Sequence, residues 1–430
     1  MTATATGSQT FRALRHRNAR IYFGGLLVSN IGTWLQLTAM SLLVYDLTGR
    51  ATDLGITVAL QFLPMLVLGA WAGAVADRHN KRTMAMLTQA LLAMQALVLG
   101  AVVLAGVESV GLVWALTFVL GVVNAFENPA RRGLVTELVE PADVANAVSL
   151  NTAVMTGSRI FGPALGALLV DVVGSGWCFV LNGMSFGAVL LSLVLVRPEE
   201  LHTPPLAPRG GRPVREALAF IRHRRQLLVT FVVMAIVSTF AYNYGVALPK
   251  LADERWGDED WFGLVLSVTS IGSFIGSLLT ARMAWVSARW YLTNVALLGV
   301  AGLGVAWAPN IVVALLWSVP LGIGGGAFIS AGNGMTQQES PPDMRGRLLA
   351  LTAVAFLGST PIGGPITGLV GDHLGAEWSL AYGSLIALAT AAVATTFLRT
   401  RRTLMPAPAG PAPIPPPPNP AADSDSSSLR

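Results

Sequence analysis

Arg159 interrupts residues 144–170, which carry no other charge. If its helix starts at Asp143, the guanidinium lies about 24 Å along it, near the middle of an apolar layer roughly 30 Å thick. A charge there costs about 2.5–3.5 kcal/mol on insertion scales, so it is expected to face the interior of a helix bundle. Two uses stay open. It is a counter-charge for an anionic substrate or a coupling carboxylate, or a structural arginine bonded to backbone carbonyls or to an amide such as Asn151 or Asn182. Acids able to carry a proton near apolar segments are Asp46, at the far end of the first, and Glu127, at the end of the fourth. Glu127 can instead pair with Arg131 one helical turn on. Asn30, Trp34, Gln36, Gln61, Tyr242 and Asn243 bring amides and aromatic rings into apolar segments, where lipid would leave their donors unpaired. With Arg159 they are the candidate substrate path, although each suits helix–helix packing as well.

Other chemistry lacks material. Cys178 is the only cysteine, and it reads as a small packing residue. His16, His79, His202, His223 and His373 all fall in connections, so neither a metal site nor a histidine-based catalytic site is expected within the spans. Neither lysine, Lys81 or Lys250, sits in a phosphate-binding loop. Gly322-Ile-Gly-Gly-Gly326 follows no strand and is not a dinucleotide loop. No cofactor and no enzyme activity are expected.

These side chains must be positioned by membrane helices. The 430 residues are 53% apolar and 12% charged, with a mean hydropathy of +0.60. A soluble protein carries about 25% charged residues. The net charge of +5 is spread along the chain rather than pooled, so no nucleic acid partner is expected. Stretches free of Asp, Glu, Lys and Arg run over 21–45, 54–76, 83–107, 109–126, 172–196, 226–249, 261–281, 348–371 and 378–398. Residues 144–170 add another, and 290–338 hold two divided by a turn at Ala308-Pro309-Asn310. The expected fold is an all-α membrane protein with twelve transmembrane helices. Arg12, Arg15, Arg17 and Arg20 precede the first span, which reads as uncleaved. With that end in the cytoplasm, the outer connections hold only Arg50, Lys250 and Arg255 as basic residues, so both termini are expected inside and the acidic stretch 250–260 outside.

Residues 136–171 and 336–372 repeat one another: Thr136, Pro141, Asp143 and Thr152 match Thr336, Pro341, Asp343 and Thr352, and Gly162-Pro163 and Gly166 match Gly364-Pro365 and Gly368. The repeat predicts two pseudo-symmetric six-helix halves, 1–196 and 226–402, able to rock about a central site. In each copy the Asp is expected to cap its helix and the Gly-Pro to interrupt it. The Arg- and Pro-rich linker 197–225 is expected in the cytoplasm, with 214–225 as an amphipathic helix on the membrane surface, Leu218 and Ile221 on one side. The Pro/Ser-rich tail 403–430 is expected to be disordered.

Gly73-Ala-Val-Ala-Asp77-Arg78-His-Asn80-Lys81-Arg82 resembles the Gly-x3-Asp-Arg-x-Gly-Arg-Arg signature of the major facilitator superfamily. The resemblance implies that Gly73, Asp77, Arg78, Lys81 and Arg82 form a latch closing the cytoplasmic side in the outward-open state. Gly73 would permit close helix approach, and Asn80 would replace a glycine because it tolerates left-handed angles. Asn124 to Arg131, Leu134 to Val139, Ala145-Asn146-Ala147 and Arg159 to Gly166, with Ser29 to Gln36 and Gln61 to Pro64, resemble the enterobactin-exporter-like branch, the transmembrane secretion effectors. This branch implies a monomeric exporter of drugs, siderophores or natural products in a bacterial inner membrane, driven by proton antiport. Gly162, Pro163 and Gly166 then stand in the antiporter-type hinge motif of span 5. Thr117 stands where many drug antiporters carry an arginine. An importer or uniporter of the same fold, and a non-transporting membrane enzyme or receptor, are the alternatives.

Overall fold

An apolar stretch in lipid must satisfy its own backbone, and a helix does so within one segment. The computed structural model describes residues 9–76, 78–107, 109–202, 213–258, 261–341, 344–358 and 360–399, and among them there is no strand. Asp77, Asp343, residues 203–212 of the linker and the tail from 400 onward lie outside the described residues. The helices are α1 (Arg17–Thr48), α2 (Ala51–Ala76), α3 (Lys81–Leu104), α4 (Val110–Glu137), α5 (Val144–Leu195), α6 (Pro213–His223), α7 (Arg225–Ala241), α8 (Tyr244–Trp256), α9 (Trp261–Ala281), α10 (Ala288–Ala306), α11 (Ile311–Glu339), α12 (Arg345–Leu357), α13 (Thr360–Leu374) and α14 (Ala376–Arg399). Among the described residues ten helical segments are long and apolar enough to cross a membrane.

Several elements run differently from expectation. The stretches 144–170 and 172–196 are two helices that follow one another with no connection beyond Gly174, whose φ of 81° and ψ of 161° break the helix and suit a residue without a Cβ; the two share the label α5. The stretch 226–249 is two helices with non-helical angles at Tyr242 and Asn243, followed by α8, which carries much of the presumed outer connection. Pro163 and Pro365 do not interrupt α5 and α13. The Ala164 N–H beside Pro163 instead donates to Ser267 Oγ of α9 at 2.9 Å. Asp143 is the N-cap residue of α5 but makes no capping bond. Its carboxylate binds Arg12 at 2.5 Å and His16 at 3.0 Å. Helix α6 docks on protein: Ala217 and Ile221 are buried with Leu227 and Leu348, while Leu218, expected on the same side as Ile221, is exposed, as is Arg222.

Helix α1 packs along α5, and α3 and α4 complete that group with α2; later in the chain α9, α10 and α11 pack together, as do α7, α10 and α14. The groups meet where α5 crosses α9 and α13 crosses α2. Glycines let these helices touch. On α9 Gly272 and Gly276 face Val319 and Ile323, and on α11 Gly322 and Gly326 face Thr269 and Ser273. A Cβ at any of the four would collide with the carbonyl oxygen of the residue it faces. Gly326→Ala is therefore expected to cost about 1–3 kcal/mol through overpacking, read as a lower Tm of the solubilised protein. Gly187→Ala, where nothing lies within 4 Å of the added methyl, should leave Tm unchanged. Equal melting of the two variants would contradict the interlock.

Candidate functional site

A cavity of about 250 Å³ opens between α1, α2, α3, α4 and α5. Helix α1 contributes Asn30, Trp34 and Gln36, and α2 contributes Gln61, so four of the path candidates line one cavity. Helix α4 adds Thr117, Asn124, Glu127, Asn128 and Arg131. It supplies so many because it runs straight through Pro129 to Glu137, beyond the apolar stretch ending at 126.

The polar groups of the cavity wall are mostly bonded to one another. Glu127 Oε1 accepts from Arg131 Nε at 2.8 Å and from Gln89 Nε2 at 3.3 Å. Arg131 also donates to Asn128 Oδ1 at 3.2 Å. Glu127 and Arg131 are 6% and 7% exposed, so neither is a solvated charge. Gln36 belongs to a second set: its Oε1 accepts from Asn182 Nδ2 at 2.6 Å, and its Nε2 donates to Gln95 Oε1 at 3.4 Å. Asn182 is thus committed to Gln36 and Ser185. Arg131 pairs with Glu127 one helical turn away; Gln89 and Gln95, on α3, carry no motif that marks them.

Tyr242 and Asn243 lie outside this cavity, at the break between α7 and α8. Asn243 Nδ2 donates to the Thr239 carbonyl at 2.6 Å, and its Oδ1 is buried without a partner. Arg159 faces these residues from α5, and its guanidinium stands 5.7 Å from the centre of the Trp34 ring. Asp46 is exposed at the end of α1. Gly162 and Gly166 lie against Trp34 and Thr38, and Pro163 against Gly263, so the motif is a three-helix contact of α5 with α1 and α9.

The two ends of the bundle differ. At the distal end, where α1 finishes, Asp372 of α13 clasps the start of α2. Its carboxylate accepts from the Ala51 and Thr52 backbone N–H groups, both at 2.9 Å, from Thr52 Oγ1 at 2.6 Å and from Lys250 Nζ at 2.7 Å. Tyr45 Oη donates to Asp253 Oδ2 at 2.8 Å beside it. At the proximal end, where α1 starts, the presumed latch bonds within its own group of helices. Lys81 pairs with Glu137 at 2.6 Å, and Arg82 Nε donates to the Leu193 carbonyl at 2.8 Å. Arg78 is exposed, and nothing lies within 4 Å of a Cβ built on Gly73, so no helix approaches there. Asn80 has φ −62°, not a left-handed angle, and caps α3 by accepting the Thr83 N–H. Among the described residues no cluster of His, Cys, Asp and Glu is arranged to hold a metal ion.

The family profile of transmembrane secretion effectors matches residues 8–419. The multidrug efflux pump Tap of Mycolicibacterium fortuitum is 27% identical over 81% of this chain and 88% of its own. The staphyloferrin A transporter of Staphylococcus aureus is 21% identical over 90% and 96%. Among solved structures, the nucleoside transporter NupG superposes with a TM-score of 0.73 at 11% identity, covering 89% of this chain and 99% of that one.

Proposed function

Because the chain belongs to the transmembrane secretion effector family of major facilitator transporters, we propose that it exports small amphipathic molecules from the cytoplasm by alternating access, in exchange for protons. The family and its relatives are multi-pass membrane transporters, not enzymes. Relatives named as an efflux pump and a siderophore transporter support export. We count twelve crossings by taking α5 as two, divided at Gly174, by adding α10, and by joining α7 to α8 and α12 to α13. They form two halves, 1–196 and 226–402, joined by the linker 197–225, and the protein acts as a monomer. The excess of Arg and Lys at the proximal end supports placing that end and both termini in the cytoplasm of a bacterial cell.

One observation carries the reading. The halves are clasped by Asp372 at the distal end, while Lys81 and Arg82 spend their bonds within the first half. We read this arrangement as an inward-open state. Reversing it would release Asp372 and bring the 73–82 motif against the second half. Among the described residues Glu127 is the one carboxylate lining the cavity, so we assign it the exchanged proton. Asp46, exposed at the distal end, is left as an entry point.

The test is uptake of ethidium and pyrenebutyrate into inverted vesicles from overproducing cells. A dye that is a substrate should concentrate inside when the lumen is acidic and leak out when the gradient is collapsed. Indifference to the gradient contradicts antiport; accumulation in right-side-out cells instead supports an importer. In the same vesicles, with Cys178 replaced, a cysteine at exposed Glu200 should react with an impermeant maleimide. Labelling only in intact cells would invert the topology.

A further inference from the structure

Where α5 passes the break between α7 and α8, several hydrogen-bond donors converge and are left over. The Arg159 guanidinium lies against the Trp34 ring, and its charge bears on the hydroxyls of both Tyr242 and Tyr244. Tyr242 has Arg159 and Ser273 as hydrogen-bonding neighbours, and its ring sits 5.1 Å, centre to centre, from those of Tyr244 and Phe356. Arg159 Nε and Tyr244 Oη are both buried without a hydrogen-bond partner, and Tyr244 is only 4% exposed. Among the described residues no carboxylate stands within ion-pair distance of Arg159.

A guanidinium can only donate, and a free phenol hydroxyl donates readily. Leaving such groups unpaired in a dry setting is costly, and the cost is highest for the charged one. A cationic ligand would not relieve it, and a neutral acceptor would pair the donors but leave the guanidinium charge uncompensated. A planar anion that only accepts would take the arginine N–H groups and the tyrosine O–H together. Aromatic rings flank the spot, and Trp34 also lines the cavity among α1–α5, whose wall includes Leu37, Phe62 and Met65.

We propose that Arg159, Tyr242 and Tyr244 form an anion-binding subsite and that the exported substrate is an amphipathic carboxylate. Its acid group is held at Arg159 and Tyr244, and its apolar body lies past Trp34 in the cavity. This rests on the export reading above and narrows it to one substrate class.

The experiment uses the full chain in nanodiscs of phosphatidylcholine, a net-neutral lipid, so that no acidic headgroup competes. Three fluorescent probes share one apolar body: pyrenebutyrate, its primary amide and pyrenebutylamine. The readout is the ratio of carboxylate to amide affinity, which a simple loss of folded protein does not move. The native protein should prefer the carboxylate by about tenfold or more, the scale of one charge-assisted hydrogen bond. R159Q should bring that ratio close to one, R159K should keep part of it, and Y244F should lower it about two- to fivefold. A native ratio near one, tighter binding of the amine, a preference that survives R159Q, or no binding of any probe would overturn the subsite. Uptake into inverted vesicles separates this from the export reading. Amide uptake without carboxylate preference removes the subsite and keeps export; carboxylate-selective binding without uptake keeps the subsite and removes export.

Discussion

Asp372→Asn is expected to open the distal end and slow transport by more than about tenfold. The carboxylate serves two partners that cannot replace it. It caps the first turn of α2, where the Ala51 and Thr52 N–H groups have no partner inside the helix, and it neutralises Lys250. Lys250 is only 8% exposed, and its other acid, Glu254, stands 3.6 Å away. Removing one partner of a buried ion pair typically costs about 3–5 kcal/mol. On the proposed cycle all of that cost falls on the inward-open state, where the clasp forms. A bias of that size shifts a two-state ratio by about 10²–10⁴-fold. Cysteines placed near Thr52 should become reactive to impermeant reagents, and uptake into inverted vesicles should fall. Lys250→Gln in the same chain should restore part of the closure by removing the stranded ammonium. Unchanged reactivity near Thr52 in Asp372→Asn would mean that the clasp does not hold the end shut.

Glu127→Gln should abolish gradient-driven uptake, by more than about tenfold, while leaving substrate exchange without a gradient in place. The amide cannot bind or release the proton, yet its carbonyl still accepts from Arg131, which also keeps Asn128. The fold should therefore survive. Glu127→Ala is different in kind: it strands a guanidinium that is 7% exposed, at a cost of about 3–5 kcal/mol, and should lower the yield of folded protein. If Glu127→Gln transports with an unaltered dependence on the gradient, Glu127 is only a tether for Arg131 and the proton travels elsewhere.

Hydropathy found the long apolar elements because the bilayer imposes one length and one solution on the backbone. It was blind to helix beyond the apolar layer, so α4 past Phe126 and α8 past Pro249 read as connections. Those extensions carry Glu127 and Arg131, which line the cavity, and Lys250 and Asp253, which bond at the distal end. Half of the cavity was legible, since an amide in an apolar stretch needs a partner: Asn30, Trp34, Gln36 and Gln61 do converge. Their partners were not, because Gln95 and Asn182 meet Gln36 through folding alone. The break at Tyr242–Asn243 has neither Gly nor Pro to announce it. Gly-Pro, which does announce a break, leaves α5 helical because Ser267 of a neighbouring helix takes up the displaced Ala164 N–H. The clasp joins residues more than 300 positions apart, which no local pattern encodes.

Alternation of the two ends is the claim on which the rest depends, and paired distances measured by electron–electron spin resonance test it most directly. Exposed Arg50 and Leu374 report on the distal end, and exposed Arg78 and Arg345 on the proximal end. In the native chain the first pair should be close and the second far apart. In Asp372→Asn the first distance should lengthen while the second shortens. Distances that stay fixed, or that grow and shrink together, would contradict alternating access.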